Sequence, residues 1–401
     1  MKMSLSSGQI KHKVERFLAH YWLPLGFFIL LTGFFWLPGK NLYTKFYYAF
    51  YIFPLIILIF INGGKALQIL KDPIVKTLLA LSLLVIASFF WSHTGNDFIS
   101  VGKRPFYIVG VFLGCGYVFA KSNHSHLAKH VLLLAATTVV LFCIYNLFVF
   151  YASSQHRMIG SGALMNPLLT SHVLGMFAAF WLALCVQKKK IVPLNIVAFL
   201  VMLAAVIATG SRTPLLGLGV CCLWLLVIWR HKITVFVVGS LGVGTLAGLV
   251  FNPEVFAARG FSYRIEIWEE SIRQIMVRPL LGLGYDSPLS IPVPSIERVF
   301  YDPHNIELAV ALELGALGLF LWCVMYFLAI KRCVQLQECP ELLPASTMLL
   351  YGLAAGITEG SSYFSRPNES WFLIWIPLAL VVGLSVNFLG SENSDSLRSK
   401  Y

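Results

Sequence analysis

Long apolar runs separated by short polar segments recur along the whole chain. Predicted spans cover 21–38, 44–63, 73–91, 105–120, 130–152, 167–186, 191–209, 213–229, 233–250, 305–330, 342–358 and 371–389. Such runs approach the roughly 20 apolar residues needed to cross about 30 Å of hydrocarbon. The pattern breaks once, where residues 251–304 form a single long polar insertion. The chain therefore divides into an N-terminal tail (1–20), nine spans (21–250), the insertion (251–304), three spans (305–389) and a C-terminal tail (390–401). The predicted fold class is an all-α polytopic integral membrane protein of about 12 transmembrane helices with one large loop. No internal repeat is evident, and the polar stretch 391–396 reads as a disordered tail.

Inside the insertion, residues Tyr263 to Val277 have helical spacing. Ile265, Trp268, Ile272, Ile275 and Met276 share an apolar face, while Glu266, Glu269, Glu270 and Arg273 look outward. Such a helix suits a membrane interface, and it equally suits packing on the end of the bundle. Pro279 ends the pattern and Gly282-Leu283-Gly284 begins a turn.

Composition narrows the class further. The chain is 58% hydrophobic and 12% charged, against about 25% charged in soluble domains, which excludes a soluble enzyme. A net charge of +12 would suit a nucleic-acid partner, but no basic face with interleaved aromatics is present, so none is expected. Lys and Arg instead crowd the N-terminal tail and the segments 64–76, 121–129, 187–190, 230–232, 331–341 and 390–401. The positive-inside rule places those segments in the cytoplasm and the insertion on the periplasmic or exterior side. The basic N-terminus resembles a signal peptide, but its apolar run is too long and lacks an Ala-x-Ala site, which predicts an uncleaved first span. None of the eight cysteines falls in the insertion, so no disulfide is available to staple it. Cys333 and Cys339 lack the partners of a zinc site.

The residues able to carry chemistry gather on the predicted outer side. Arg212, in Gly210-Ser211-Arg212-Thr213-Pro214, stands where the eighth span starts. It reads either as an arginine snorkelling to headgroups or as an anion clamp, helped by the exposed N–H groups of a helix start. Arg264 opens the loop helix and offers a guanidinium fork matched to phosphate, or else an ion pair with Glu266 or Glu269. Arg157, Arg259, Arg278, Arg298 and Arg366 face the same side and read individually as structural. His304 sits on a loop–helix junction flanked by Asp302, Pro303 and Asn305. Its neutral imidazole would take a proton from a sugar hydroxyl, with Asp302 or Glu307 to orient it; the plainer reading is a capping or packing histidine. Glu254, Glu266, Glu269, Glu270, Asp286, Glu297, Asp302 and Glu359 are dispersed, without the paired acidic motif that holds Mg²⁺. No P-loop or dinucleotide fingerprint is present, so neither metal, cofactor nor nucleotide is expected.

Several short motifs resemble one family. His304-Asn305, nine residues, then Gly315-Ala316-Leu317-Gly318 is similar to the H-[NSQ]-x9-G-x-x-[GTY] pattern of bacterial O-antigen ligases. Arg212-Thr213-Pro214-Leu215-Leu216 resembles that family's R-x3-L pattern. The S-x-R-x3-W of Ser262, Arg264 and Trp268, and Pro279-x2-Gly282-x-Gly284, look like the wider ligase and polymerase superfamily. The resemblance implies a GT-C-like, metal-independent, inverting glycosyltransferase in the inner membrane of a Gram-negative bacterium, its site facing the periplasm. The implied donor is O-antigen on undecaprenyl pyrophosphate, and the acceptor is the lipid A–core oligosaccharide. Arg212 and Arg264 would hold the pyrophosphate and His304 would activate the acceptor hydroxyl. Asp302, Asn305, Gly315, Gly318 and Leu216 are expected as supporting motif positions, and Tyr363, Arg366 and Asn368 are placed to meet the acceptor. An O-antigen polymerase shares most of these features. A transporter or flippase would instead gather its charges near mid-membrane.

Overall fold

The apolar runs fold as helices because a chain in hydrocarbon must satisfy every backbone N–H and C=O internally. The computed structural model describes residues 7–63, 67–120, 122–251, 263–360 and 362–398. Glu254, Arg259 and Ser262, singled out above, lie outside the described residues. The helices are α1 (Gly8–Trp36), α2 (Lys40–Asn62), α3 (Pro73–Phe90), α4 (Phe98–Phe119), α5 (His126–Ala152) and α6 (Pro167–Gln187). Three shorter ones follow, α7 (Pro193–Ala208), α8 (Thr213–Ile228) and α9 (Lys232–Leu246), and then α10 (Arg264–Val277) in the insertion. The chain closes with α11 (Ile306–Gln335), α12 (Leu343–Gly356) and α13 (Glu369–Val386).

Each predicted span contains a helix, and the chain is a multi-pass membrane protein. Eight of the helices among the described residues, α1 to α6, α11 and α13, are long and apolar enough to cross a membrane. The others are shorter. With 16, 16 and 14 residues at about 1.5 Å each, α7, α8 and α12 fall short of a full hydrocarbon core. Two boundaries also move: α4 starts at Phe98 rather than 105, and α11 runs on to Gln335 rather than 330.

Contacts between connecting segments sort into two sets. On one side, Arg332 pairs with Asp72 at 2.6 Å, Lys129 with Glu341 at 3.5 Å, and Gln187 Nε2 donates to the Pro340 carbonyl. On the other, Lys40 pairs with Glu369 at 2.8 Å, Arg104 with Asp286 and Arg264 with Glu359. The first set joins the Lys- and Arg-rich segments; in the second, Arg104–Asp286 and Arg264–Glu359 join the insertion to its neighbours, and Lys40–Glu369 ties the starts of α2 and α13.

The insertion has a small core of its own, made by Ile267, Leu289, Ile291, Val293 and Leu312 of α11. A hairpin of β1 (Ile291–Val293) and β2 (Arg298–Phe300) closes over it, with Ile291 opposite Phe300. Among the described residues the fold is thus all-α apart from this hairpin, which alternation over so few residues did not announce. The loop helix also turns differently from expectation. Ile267 and Ser271 are its fully buried positions, whereas Ile272 and Met276 stand 51% and 71% exposed. Its apolar residues therefore form two stripes, one on the bundle and one facing out.

The glycine motifs explain how the insertion is locked to α11. Gly315 breaks that helix with φ 63° and ψ −163°. Residues 279–284 supply the hydrogen bonds the break removes. Leu283 N–H donates to the Leu312 carbonyl and Gly284 N–H to Glu313, both at 2.8 Å, while Ala316 N–H donates to the Pro279 carbonyl at 2.7 Å. A Cβ on Gly315 would lie 2.4 Å from the Leu280 carbonyl, and one on Gly282 (φ 66°) 2.6 Å from the Leu312 carbonyl. Only glycine allows that approach together with a left-handed backbone.

Candidate functional site

Three helix N-termini converge on the segment just after α12. At the start of α8, Thr213 Oγ1 accepts from Thr358 Oγ1 at 3.3 Å. At the start of α10, Arg264 Nη2 donates to Glu359 Oε2 at 2.8 Å. Just before α11, His304 Nδ1 lies 3.3 Å from Glu359 Oε1. Unpaired N–H groups and the helix macrodipole make each such end electropositive, so the arrangement favours an anion. Glu359, with a side chain only 6% exposed, is the anion the protein itself provides.

His304 is held from several directions. Its backbone is left-handed (φ 49°), a conformation costing roughly 1–2 kcal/mol for a non-glycine residue. The Asp302 carboxylate compensates by accepting the His304 N–H at 2.7 Å. Trp268 Nε1 donates to the Pro303 carbonyl at 3.1 Å, and the Phe300 ring meets the imidazole edge-on at 6.1 Å. The motif spacing Arg264-x3-Trp268 thereby sets one turn of α10 against Glu359 and His304 together. Glu359 raises the imidazole pKa above its ordinary value, outweighing burial, with help from Asp302. Burial alone would raise the Glu359 carboxyl, but His304, His172 and Arg264 outweigh it and hold the group ionised below the usual range. A carboxylate on Nδ1 favours the tautomer with its proton there, which leaves Nε2 free to accept one.

Other expected positions fall as follows. Arg212 is the N-cap of α8, exposed, and its guanidinium makes no hydrogen bond or ion pair among the described residues. Arg157 supports the same rim, its Nε donating to the Thr209 carbonyl at 2.7 Å. Leu216 is exposed on α8, with no contact to the cluster. Asn305 caps α11 by accepting from Leu308 N–H at 2.8 Å. Gly318 sits one turn past the break, where a Cβ would meet Leu314. Arg278, Arg298 and Arg366 are exposed.

Several expectations need correction. The partner of Arg264 is Glu359, not Glu266 or Glu269. The acid beside the His304 ring is also Glu359; Asp302 is 3.9 Å from Nδ1 and acts on the backbone, and Glu307 is half-buried, with its Oε2 unpartnered among the described residues. Tyr363 is buried, donating to Glu313 Oε2 at 2.5 Å, and Asn368 caps a short turn, so neither is presented to an acceptor. Two residues were overlooked. Glu359 looked like one more dispersed acid, because its partners lie far away in sequence. His172, on α6, is 2% exposed with neither ring nitrogen hydrogen-bonded, and it feels the charges of Glu359 and Arg264. Its signal was legible as an ionisable residue inside a predicted span.

A second buried cluster lies beside the first. Arg104 Nη1 donates to Asp286 Oδ1 at 2.8 Å and to the Tyr285 hydroxyl at 2.9 Å. Thr94 and Asn96 also donate to Asp286, and the Tyr285 hydroxyl donates to the Phe364 carbonyl. Glu313 accepts from Tyr363 and from the Asp286 N–H. Among the described residues no group of three or more His, Cys, Asp and Glu is placed to hold a metal ion.

Comparison with known proteins gives three findings. Residues 197–323, which hold Arg212, Arg264, His304 and the Gly315 break, match the family model described as O-antigen ligase. The chain is 38% identical over 393 residues to an O-antigen ligase of Pseudomonas aeruginosa, covering 97% of this chain and 98% of that one. It is also 34% identical over 76 residues to a candidate polysaccharide ligase of Rickettsia felis, covering 16% of this chain and 19% of the other.

Proposed function

Since the chain belongs to the O-antigen ligase family, we propose that the Arg212–Arg264–Glu359–His304 constellation is its glycosyl-transfer site. The donor is O-antigen polysaccharide on undecaprenyl pyrophosphate and the acceptor a hydroxyl of the lipid A–core oligosaccharide. The observation that carries this reading is the convergence of three helix N-termini, a paired Arg264 and an Arg212 without a partner among the described residues around one buried carboxylate–imidazole pair. That set is built to hold a diphosphate and to remove one proton.

The chemistry follows from the geometry. Arg212, exposed at a helix start, and Arg264 take the pyrophosphate oxygens, neutralising the charge that grows as the glycosidic bond breaks. His304 Nε2 accepts the proton of the acceptor hydroxyl as its oxygen attacks the anomeric carbon. The bonding pair leaves with undecaprenyl pyrophosphate, the proton passes from His304 to solvent, and attack opposite the leaving group inverts the centre. Glu359 keeps the Nδ1 proton in place and stabilises the imidazolium that forms. No metal is required where two guanidiniums and three helix ends carry the positive field. The basic segments face the cytoplasm and the insertion faces the periplasm of the inner membrane. The short helices α7, α8 and α12 complete about twelve crossings together with α9.

The test is a gel of lipopolysaccharide from a deletion strain complemented with wild type or His304→Ala, with lipid-linked polymer assayed alongside. Bare core plus accumulated polymer in the variant, at normal protein level in the membrane, is expected. An intact ladder in the deletion strain itself rejects the assignment, and core capped with single repeats in that strain points to a polymerase.

A further inference from the structure

Six consecutive residues at the end of the loop helix, Met276 to Leu281, are exposed, and all but Arg278 are apolar. Exposed apolar patches of this kind mark contact surfaces, and the place of this one in the fold says what covers it. Leu317 N–H donates to the Leu280 carbonyl at 3.3 Å, so the patch runs on from the exposed Leu317 and Phe320 of α11. Trp91 Nε1 donates to the Leu281 carbonyl at 3.2 Å, which sets the patch equally against Phe90, exposed at the end of α3. Both helices are long and apolar enough to cross a membrane. The buried Arg332–Asp72 pair gives their common level: it lies beside the exposed Lys331 and Lys71 and so marks one edge of the hydrocarbon. From Arg332, Leu317 stands 15 residues along an unbroken stretch of α11, about 22 Å. From Pro73, the 18 residues of α3 reach Phe90, about 27 Å. Both distances fall inside a core about 30 Å thick.

We propose that residues 276–281 are a re-entrant tip of the insertion, sunk among the acyl chains of the leaflet on that side. Non-helical backbone survives at such a depth only if its polar groups are paired inside the protein. The tip meets that condition. The carbonyls of Arg278, Pro279, Leu280 and Leu281 accept in turn from Gly282 N–H, Ala316 N–H, Leu317 N–H and Trp91 Nε1. Arg278 is the one charge, and its exposed guanidinium is long enough to reach back to the lipid phosphates. The buried stripe of α10 thus packs on the protein, while the end of its exposed stripe packs on lipid. A tip held at that depth fixes the height of α10 over the leaflet, and with it Arg264 at the other end of the helix.

The test uses wild-type full-length protein in vesicles of phosphatidylethanolamine and phosphatidylglycerol. A trace of phospholipid carries a diazirine near the middle of one acyl chain, and after irradiation the attached lipid is mapped by peptide mass spectrometry. Residues 276–281 should be labelled to the same extent as 317–320 of α11, and the polar loop 93–97 just beyond Trp91 should not be. Labelling of 317–320 with none in 276–281 overturns the proposal. So does a tip labelled only when the diazirine is moved to the headgroup, which would place it on the surface of the leaflet. A second measurement needs no labelling. In the same vesicles Leu280→Asp should melt several degrees below Leu280→Ala, because a carboxylate is costly in hydrocarbon and costs little on a wet surface. Equal melting of the two variants would mean that the side chain already stands in water, and the proposal falls.

Discussion

Two clusters of buried charge sit side by side on the insertion side of the molecule, and they differ in one respect. In the Arg104–Asp286–Tyr285–Glu313–Tyr363 cluster, no buried side-chain nitrogen or oxygen lacks a partner. In the Arg264–Glu359–His304–His172 cluster, Arg264 Nε, His304 Nδ1 and both His172 nitrogens do, among the described residues. A fully bonded network fixes one arrangement of the loop between α10 and β1, of α11 and of the segment after α12. A partly bonded one is less stable as it stands and keeps capacity for a ligand. The first cluster therefore reads as scaffold, and the second as the proposed site that the scaffold holds.

The sharpest way to break that comparison is to remove one member from each cluster. His304→Ala should lower transfer by about 10²–10⁴-fold, the usual range for a positioned general base, with the melting temperature little changed. Arg212→Ala should lower transfer by about 10²–10³-fold and leave melting unaffected, because the guanidinium has no partner to lose among the described residues. Near-normal ligation in the Arg212 variant would remove it from the clamp. Arg104→Ala should do the opposite. Breaking a largely buried pair leaves Asp286 uncompensated and should destabilise by about 1–3 kcal/mol, discounted for its partial exposure. Transfer per folded molecule should hardly move. A large loss of transfer at an unchanged melting temperature would make Arg104 part of the site.

How much of this was legible beforehand depends on where the partners lie in sequence. Arg264 and His304 stood out because each marks the start of a helix beside the membrane, a local signal. Glu359 did not, since its value comes from residues 95 positions away, as in the Arg264 contact. The Gly315 break was readable as a motif but not as a kink, because its cause is the backbone of residues 279–284 inserted from the insertion. The long apolar runs gave the membrane helices reliably, while the lengths of α7, α8 and α12 depended on caps and neighbours that hydropathy does not encode. The stripe of α10 that is buried, Ile267 and Ser271, was missed because both of its faces are apolar and only packing decides between them.

A smaller effect refines the role of Glu359. Its contact raises the His304 pKa, so the base is free only above that raised value and the acid limb of the pH–rate profile should lie above about 6.5, the ordinary imidazole value. Glu359→Gln removes the negative charge and should move the limb to lower pH. The plateau rate should fall at the same time, because the ring loses its orienting partner. A plateau loss with an unmoved limb would mean that Glu359 acts on Arg264 alone.

The smallest expected effect is the control on counting arginines. Arg273 is bidentate to Glu270 on the same loop helix as Arg264, with its nitrogens donating at 2.7 and 2.8 Å. By local geometry this is the better-formed pair, and Arg273 even lies in the same polar insertion. It is nevertheless solvent-exposed, three residues from its partner, and no helix start or buried carboxylate stands beyond it. Exposed pairs of this kind contribute little, because water screens them and both side chains must be ordered. Arg273→Ala should melt with wild type and give an unchanged lipopolysaccharide ladder. A ladder lost at constant melting temperature would mean that the positive field of the whole insertion, rather than the convergence on Glu359, is what receives the lipid diphosphate.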